Sequence, residues 1–240
     1  IVQACHFDFN LRRLERYLVM VRDGRIRPVV LLTKTDLVGP EIVADLLASV
    51  RRAASDVPVV PVSNVTGAGL DEVRRLLRPG ETCCLLGSSG VGKTTLINQL
   101  TGSAALETGS VSHTGEGRHT TTRRQLVVLD GGQLLIDMPG MRELGLLGVG
   151  EGLEEVFADV GELAASCRFA DCSHAREPGC AVRAAIERGD LSEDHLQSYL
   201  KLRRESAYHD MSYAERRRQA REFVRVVRAV LRPKGGRDPR

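Results

Sequence analysis

The chain has 240 residues, a formal net charge of +3, 42% hydrophobic residues, six cysteines and no tryptophan. That length supports one sizeable α/β core with a smaller second unit. No apolar run approaches the roughly 20 residues that cross a bilayer, which excludes a membrane-spanning helix and makes a soluble, cytoplasmic protein the expectation. The chain opens at Ile1 with no signal-peptide pattern, so a segment ahead of it is expected, and the cysteines point to free thiols or metal rather than a disulfide framework.

In chain order, residues 27–32 (RPVVLL) form a continuous apolar run of the length of a buried parallel strand. Residues 41–53 have helical periodicity, with Ile42, Val43, Leu46, Leu47 and Val50 on one face. Residues 57–62 (VPVVPV) read as a strand whose prolines blur its limits, 69–77 as a helix, and 81–86 as a strand in which Cys83 and Cys84 pack as small hydrophobes. A helix over 94–101 follows. Residues 102–122, rich in Gly, Ser, Thr and His, read as a loop. Strands at 125–129 and 133–136 flank Asp130-Gly131-Gly132, a hairpin turn signal. Alternating strands and helices with one hairpin predict a mostly parallel sheet covered on both faces. Near residue 150 the pattern changes to a helix over 151–165, a Cys/His cluster, and basic helices, so the expected division is 1–150 and 151–240.

The strand over 81–86 leads into Gly87-Ser88-Ser89-Gly90-Val91-Gly92-Lys93-Thr94 and then a helix beginning with Thr95. That strand–turn–helix context makes it a phosphate-binding P-loop. Its backbone N–H groups would cradle phosphates, Lys93 would reach the β- and γ-phosphates, and Thr94 would ligate Mg²⁺. Asp137-Met138-Pro139-Gly140 lies about forty residues downstream. There Asp137 would orient water on Mg²⁺ and the Gly140 N–H would sense the γ-phosphate.

Thr33-Lys34-Thr35-Asp36 has the pattern of a guanine-reading loop. Asp36 would accept the guanine N1–H and exocyclic amine, a donor pair that adenine lacks, while Lys34 lays its stem along the base. The bland alternative is an aspartate that caps the next turn. Thr33 stands where most GTPases carry Asn, so altered loop bracing is expected. Ser63 and Asn64, after the next strand, fit a loop that supports the base from behind. This guanine loop precedes the P-loop, the reverse of the usual order, and that inversion points to a circularly permuted GTPase.

TKTD, PVSN, GSSGVGKT, GRHTTT (residues 117–122) and DMPG, in that order, resemble the RsgA/YjeQ family of circularly permuted bacterial GTPases. Cys167-x4-Cys172-x-His174-x5-Cys180 is similar to that family's zinc motif. The resemblance covers nearly all of residues 1–230. It implies an α/β fold: a circularly permuted Ras-like P-loop GTPase domain, then a small zinc-binding, mostly helical domain. It further implies GTP hydrolysis in late maturation of the small ribosomal subunit, with GTP/GDP, ribosomal RNA and that subunit as partners, no membrane, and a monomer. The family's N-terminal OB-fold is not visible in this chain.

Met141 occupies the position where many GTPases carry a water-positioning Gln, so catalytic help must come from elsewhere. His119, in the loop that resembles the family's first switch, is the candidate; a loop histidine with no chemical role is the alternative. Among Thr120, Thr121 and Thr122, the choice for meeting Mg²⁺ and the γ-phosphate falls on Thr121, with Thr122 close behind. Three thiolates and one imidazole within fourteen residues form a complete tetrahedral set for one structural Zn²⁺, whose binding would supply much of the folding energy of so short a unit.

From Lys201 to Arg240 there are thirteen Lys/Arg against five Asp/Glu. Over 214–231 this charge faces one side of a helix and Phe223, Val227 and Val230 the other. An RNA-facing helix and a helix docked by its apolar stripe both fit. The leading reading is thus a GTPase that assists ribosome assembly. The competing ones are an RNA-binding module with a poorly catalytic GTP site, and an adenine-specific P-loop enzyme, which Asp36 disfavours.

Overall fold

The computed structural model describes residues 1–102, 125–138 and 149–212, together with 215, 217, 218, 221 and 225. His119, Thr121 and Gly140 lie outside the described residues, as do Arg118, Thr120, Thr122, Arg123 and Met141, most of the helix expected over 214–231, and the terminal tail.

Three short strands, β1 (Val2–Ala4), β2 (Val30–Thr33) and β3 (Val59–Pro61), run parallel, with Val2 opposite Leu31 and Val30 opposite Val59. β1 and β2 are buried throughout, as expected of parallel strands covered on both faces. A second sheet holds β4 (Thr82–Leu85) parallel to β6 (Leu134–Asp137), and β5 (Gln125–Val128) antiparallel to β6. β5 and β6 are joined through the Asp130-Gly131-Gly132 turn, where Gly132 takes φ +79° and its N–H donates to the Leu129 carbonyl. The Val2 N–H donates to the Leu86 carbonyl at 2.7 Å. That contact links the start of β1 to the residue after β4, joining the two three-stranded sheets, β1-β2-β3 and β4-β6-β5.

Helices cover both faces of the first sheet, whereas on the second Cys84, Leu126 and Val128 are exposed, so the expected cover on both faces does not extend to β4 and β5 among the described residues. α3 (Leu70–Leu76) and α4 (Lys93–Thr101) close a core of Val2, Leu31, Val60, Leu85, Leu96, Ile97 and Leu135. α1 (Leu11–Asp23) and α2 (Pro40–Ala53) close the opposite one around Leu14, Tyr17, Leu18, Leu32 and Val50. β1 and α1 have no counterpart among the predicted elements. A three-residue strand carries too little periodicity to stand out, and α1 is rich in charge. Its start is nonetheless fixed by Asn10, whose side chain accepts from the Arg13 N–H at 3.0 Å, an N-cap.

The helix predicted over 151–165 is two helices, α5 (Gly150–Val156) and α6 (Ala158–Ala164). The break falls at Phe157, whose backbone leaves helical values (φ −114°, ψ 33°). There the ring is 1% exposed and packs 4.7 Å from the His195 ring and 5.4 Å from Tyr199. α7 (Ala181–Arg188) and α8 (Glu193–Asp210), the latter capped by Ser192, complete the unit. Its core of Phe157, Val160, Val182, Leu196 and Leu202 is completed by Val19 of α1. α5 approaches α1 so closely that a Cβ on Gly152 would lie 2.1 Å from the Val19 carbonyl oxygen. Glycine is required there.

A buried charged contact ties the two parts together. His195 Nδ1 lies 2.7 Å from Oε1 of Glu15, which is fully buried in α1, and its Nε2 lies 3.2 Å from Oδ1 of Asp159. Burial pulls the imidazole pKa down, but hydrogen bonds to Asp159 and Glu15, and their charges, outweigh it and raise the value to about 9. A group raised above its ordinary value of 6.5 contributes stability that is full below pH 6.5 and is lost as pH rises through about 9. That shift corresponds to at most about 3 kcal/mol. Urea unfolding at pH 6 and pH 9.5 should therefore show a larger loss in the parent chain than in His195→Gln. Parallel losses would remove His195 as the cause.

Candidate nucleotide and metal sites

The carboxyl ends of β2, β3, β4 and β6 converge on one edge of the sheet, where α/β folds bind ligands. Here lie all the described residues expected to contact nucleotide: Thr33, Lys34, Asp36, Ser63, Asn64, Gly87 through Thr95, and Asp137. The turn after β4 is glycine-rich for steric reasons. A Cβ on Gly87 would lie 2.3 Å from the Val2 carbonyl oxygen, and Gly90 and Gly92 take φ of +78° and +97°.

Lys93 is 7% exposed, and its ammonium donates to the carbonyls of Gly87 and Ser88 at 2.8 Å each. Burial lowers its pKa, opposed by the charges of Asp137 and Asp8. The ammonium thus folds back over its own loop, a position from which a phosphate would draw it.

Thr94 Oγ1 donates to Asp137 Oδ2 at 3.0 Å. Asp137 is fully buried, and among the described residues its Oδ1 has no hydrogen-bond partner. Burial raises its pKa, opposed by the Thr94 hydrogen bond and the charge of Lys93. A buried carboxylate oxygen left orphaned beside a hydroxyl is costly unless a cation or its water completes it. The pair therefore fits a hard divalent ion such as Mg²⁺.

The loop expected to read guanine is a single 3₁₀ turn (Thr35–Leu37) preceded by Lys34 in the left-handed region (φ 60°). Asp36 is exposed, and its Oδ1 accepts from the Ser63 hydroxyl at 2.5 Å. Ser63 is itself fixed, since its oxygen accepts from the N–H groups of Val65 and Thr66 at 3.3 and 3.1 Å. Ser63 thus holds the Asp36 carboxylate in place. Burial lowers the Lys34 pKa, offset by the charges of Asp8 and Asp36.

Thr33 is fully buried and its hydroxyl lies 2.6 Å from the Val91 carbonyl, to which it donates, so the Thr33–Asp36 loop is braced on the turn after β4. Asn64 donates from Nδ2 to the Gly92 carbonyl of the same turn at 3.1 Å. Sequence reading missed Asp8. Its charge acts on both Lys34 and Lys93, and it pairs with Arg13 at 2.9 Å. No motif marks it; only the fold of β1 brings it to the site.

The second cluster joins Cys167, Cys172, His174 and Cys180, whose ligand atoms all lie within 4.8 Å of one another. The Cys167 and Cys180 sulfurs are 3.9 Å apart, and His174 Nδ1 lies 3.7 and 3.6 Å from them. Tetrahedral zinc with bonds of ~2.3 Å to sulfur and ~2.0 Å to nitrogen requires separations of about 3.8 and 3.6 Å. The donor set and its spacing fit that ion. His174 takes a left-handed φ of 60°, and the Cys180 sulfur also accepts from the Arg183 N–H at 3.4 Å, capping α7. A metal held here would therefore share the Cys180 sulfur with the start of α7.

Residues 1–147 match the RsgA GTPase family. Over 87% of its length the chain is 52% identical to the small ribosomal subunit biogenesis GTPase RsgA of Opitutus terrae, of which it spans 57%. The crystal structure of YjeQ from Thermotoga maritima superposes with a TM-score of 0.61 at 27% identity, covering 84% of this chain and 68% of that one. YloQ, described as a circularly permuted GTPase, superposes with a TM-score of 0.59 at 24% identity, covering 89% of this chain and 69% of that one, a likeness of fold.

Proposed function

The chain belongs to the RsgA GTPase family, and on that premise we propose that it binds and hydrolyses GTP as an assembly factor of the small ribosomal subunit. The supporting observation is that the Thr33–Asp36 loop and the P-loop, far apart and inverted in sequence, lie side by side, joined by the Thr33–Val91 hydrogen bond at 2.6 Å.

In this reading Asp36, held by Ser63, accepts the two guanine donors while Lys34 covers the base. The amides of Gly87 to Thr95 surround the phosphates, and Lys93 moves from its two carbonyl partners to the β- and γ-phosphate oxygens. Thr94 and Asp137 would hold Mg²⁺, with Thr121 as the further ligand; that ion neutralises charge developing on the transferred phosphoryl. Gly140 would sense the γ-phosphate. Because Met141 has no group to orient water, His119 is assigned that task. One Zn²⁺ on Cys167, Cys172, His174 and Cys180 would be structural, since four protein ligands leave no open position. Residues 1–150 form the GTPase unit and 151–240 the zinc-binding helical unit, whose basic end meets ribosomal RNA by counterion release. The protein works as a cytoplasmic monomer.

The test is GTP turnover measured with and without small ribosomal subunits, in the parent chain and in His119→Ala. Stimulation by subunits is expected, with turnover in the variant lowered about 100-fold or more, the range of general acid–base help, and GTP affinity nearly intact. Unchanged turnover in His119→Ala removes that assignment. Absence of turnover in the parent under both conditions favours an RNA-binding module that only senses GTP.

A further inference from the structure

Thr33 and Asn64 grip two consecutive peptide units of the phosphate loop. From this we infer that both are positioning residues that aim the Gly92 and Lys93 amide hydrogens at the nucleotide phosphates. The inference rests on the GTP-binding reading above and extends it to how the cradle is held open.

A trans peptide unit is planar, and its C=O and N–H point in opposite directions. The described chain contains no cis peptide bond. Fixing a carbonyl therefore fixes the direction of the N–H one residue later. Thr33 Oγ1 donates to the Val91 carbonyl at 2.6 Å, and the N–H of that unit belongs to Gly92. Asn64 Nδ2 donates to the Gly92 carbonyl at 3.1 Å, and the N–H of that unit belongs to Lys93. The same Gly92 carbonyl accepts from the Leu96 N–H at 2.9 Å, which begins α4. Helix and asparagine thus hold it from two sides, which fixes the plane of the peptide unit that carries the Lys93 N–H.

Two further observations mark Asn64 as a donor placed for this purpose. Among the described residues its Oδ1 is buried without a hydrogen-bond partner, so the Nδ2 bond to the Gly92 carbonyl is the contact that orients the amide. Gly92 has φ +97°, and a Cβ there would lie 2.9 Å from Asn64 Nδ2, so this glycine leaves the space through which the amide reaches its carbonyl. Both tethers come from segments that also read the base. Thr33 directly precedes Lys34-Thr35-Asp36, and Asn64 follows Ser63, which holds Asp36.

The test compares GTP, guanosine and inorganic tripolyphosphate by titration calorimetry on the full chain and three variants. Thr33→Val is nearly isosteric and removes only the hydroxyl, Asn64→Ala removes the amide, and Thr33→Ser retains the donor. GTP and tripolyphosphate should each weaken about three- to tenfold in Thr33→Val and in Asn64→Ala, with guanosine unchanged and Thr33→Ser close to the parent. A general disturbance of the pocket would instead weaken guanosine in parallel. If the parent binds tripolyphosphate but not guanosine, the GTP reading falls, and the tethers are judged on tripolyphosphate alone. Unchanged tripolyphosphate affinity in both Thr33→Val and Asn64→Ala overturns the inference.

Discussion

Chelating the metal from the Cys167–Cys172–His174–Cys180 cluster is expected to unfold the segment between α6 and α7 while leaving nucleotide binding in place. Residues 166–180 contain no helix or strand, so little besides the metal offsets the entropy of ordering them. Four ligand atoms within 4.8 Å of one another, three of them sulfur, would repel as thiolates without a cation between them. Binding of structural zinc to short segments is worth about 10–16 kcal/mol, far more than any single hydrogen bond here. The loss should extend into α7, because the Cys180 sulfur is its N-cap, but not to the β-sheet, whose core clusters contain none of the four ligands. Hydrogen exchange after chelation should show amides 167–188 unprotected and amides of β2 and β4 protected. The purified chain should carry one zinc, and Cys172→Ser less than one. Full protection of 167–188 in metal-free protein would show that the cluster is not structural.

The second large effect is expected at Asp36. Its Oδ1 is engaged by Ser63 at 2.5 Å, while the residue as a whole is exposed. Asp36→Asn keeps an acceptor for Ser63 but replaces one carboxylate oxygen by an N–H group, which opposes the guanine amine. Losing hydrogen bonds to a charged group costs about 1.5–3 kcal/mol each, so GTP affinity should fall at least about 100-fold. Xanthosine triphosphate, with a carbonyl where guanine has the amine, should gain, because the new N–H has a partner. The comparison is internally controlled, since both ligands carry the same phosphates and depend equally on Lys93 and Thr94. Equal losses for both would indicate damage to the pocket rather than a changed reading of the base.

Much of this site could be read in advance because its chemistry is local. GSSGVGKT carries its glycines and Lys93 in one run, and the four candidate metal ligands fall within one short segment. Three features were hidden because they depend on contacts distant in sequence. Asn64 sits beside a residue of known type, yet its partner, the Gly92 carbonyl, is 28 residues away and is backbone, so no side-chain pattern announces it. The Glu15–His195 pair spans 180 residues, and nothing in an arginine-rich helix distinguishes Glu15 from a solvated charge. The split of 151–165 at Phe157 follows from packing against His195 and Tyr199 of α8, which periodicity within the segment cannot register. β1, with only three residues, became visible through its pairing with β2 and its contact with Leu86.

The account turns on a base-reading carboxylate from early in the chain serving the same ligand as Lys93. The most direct measurement is a calorimetric comparison of GTP and ATP binding to the unmodified chain in Mg²⁺. One site, with GTP preferred at least about 100-fold over ATP, is the expected result. ATP binding as tightly as GTP would contradict it, because the phosphates would then be held without any reading of the base at Asp36.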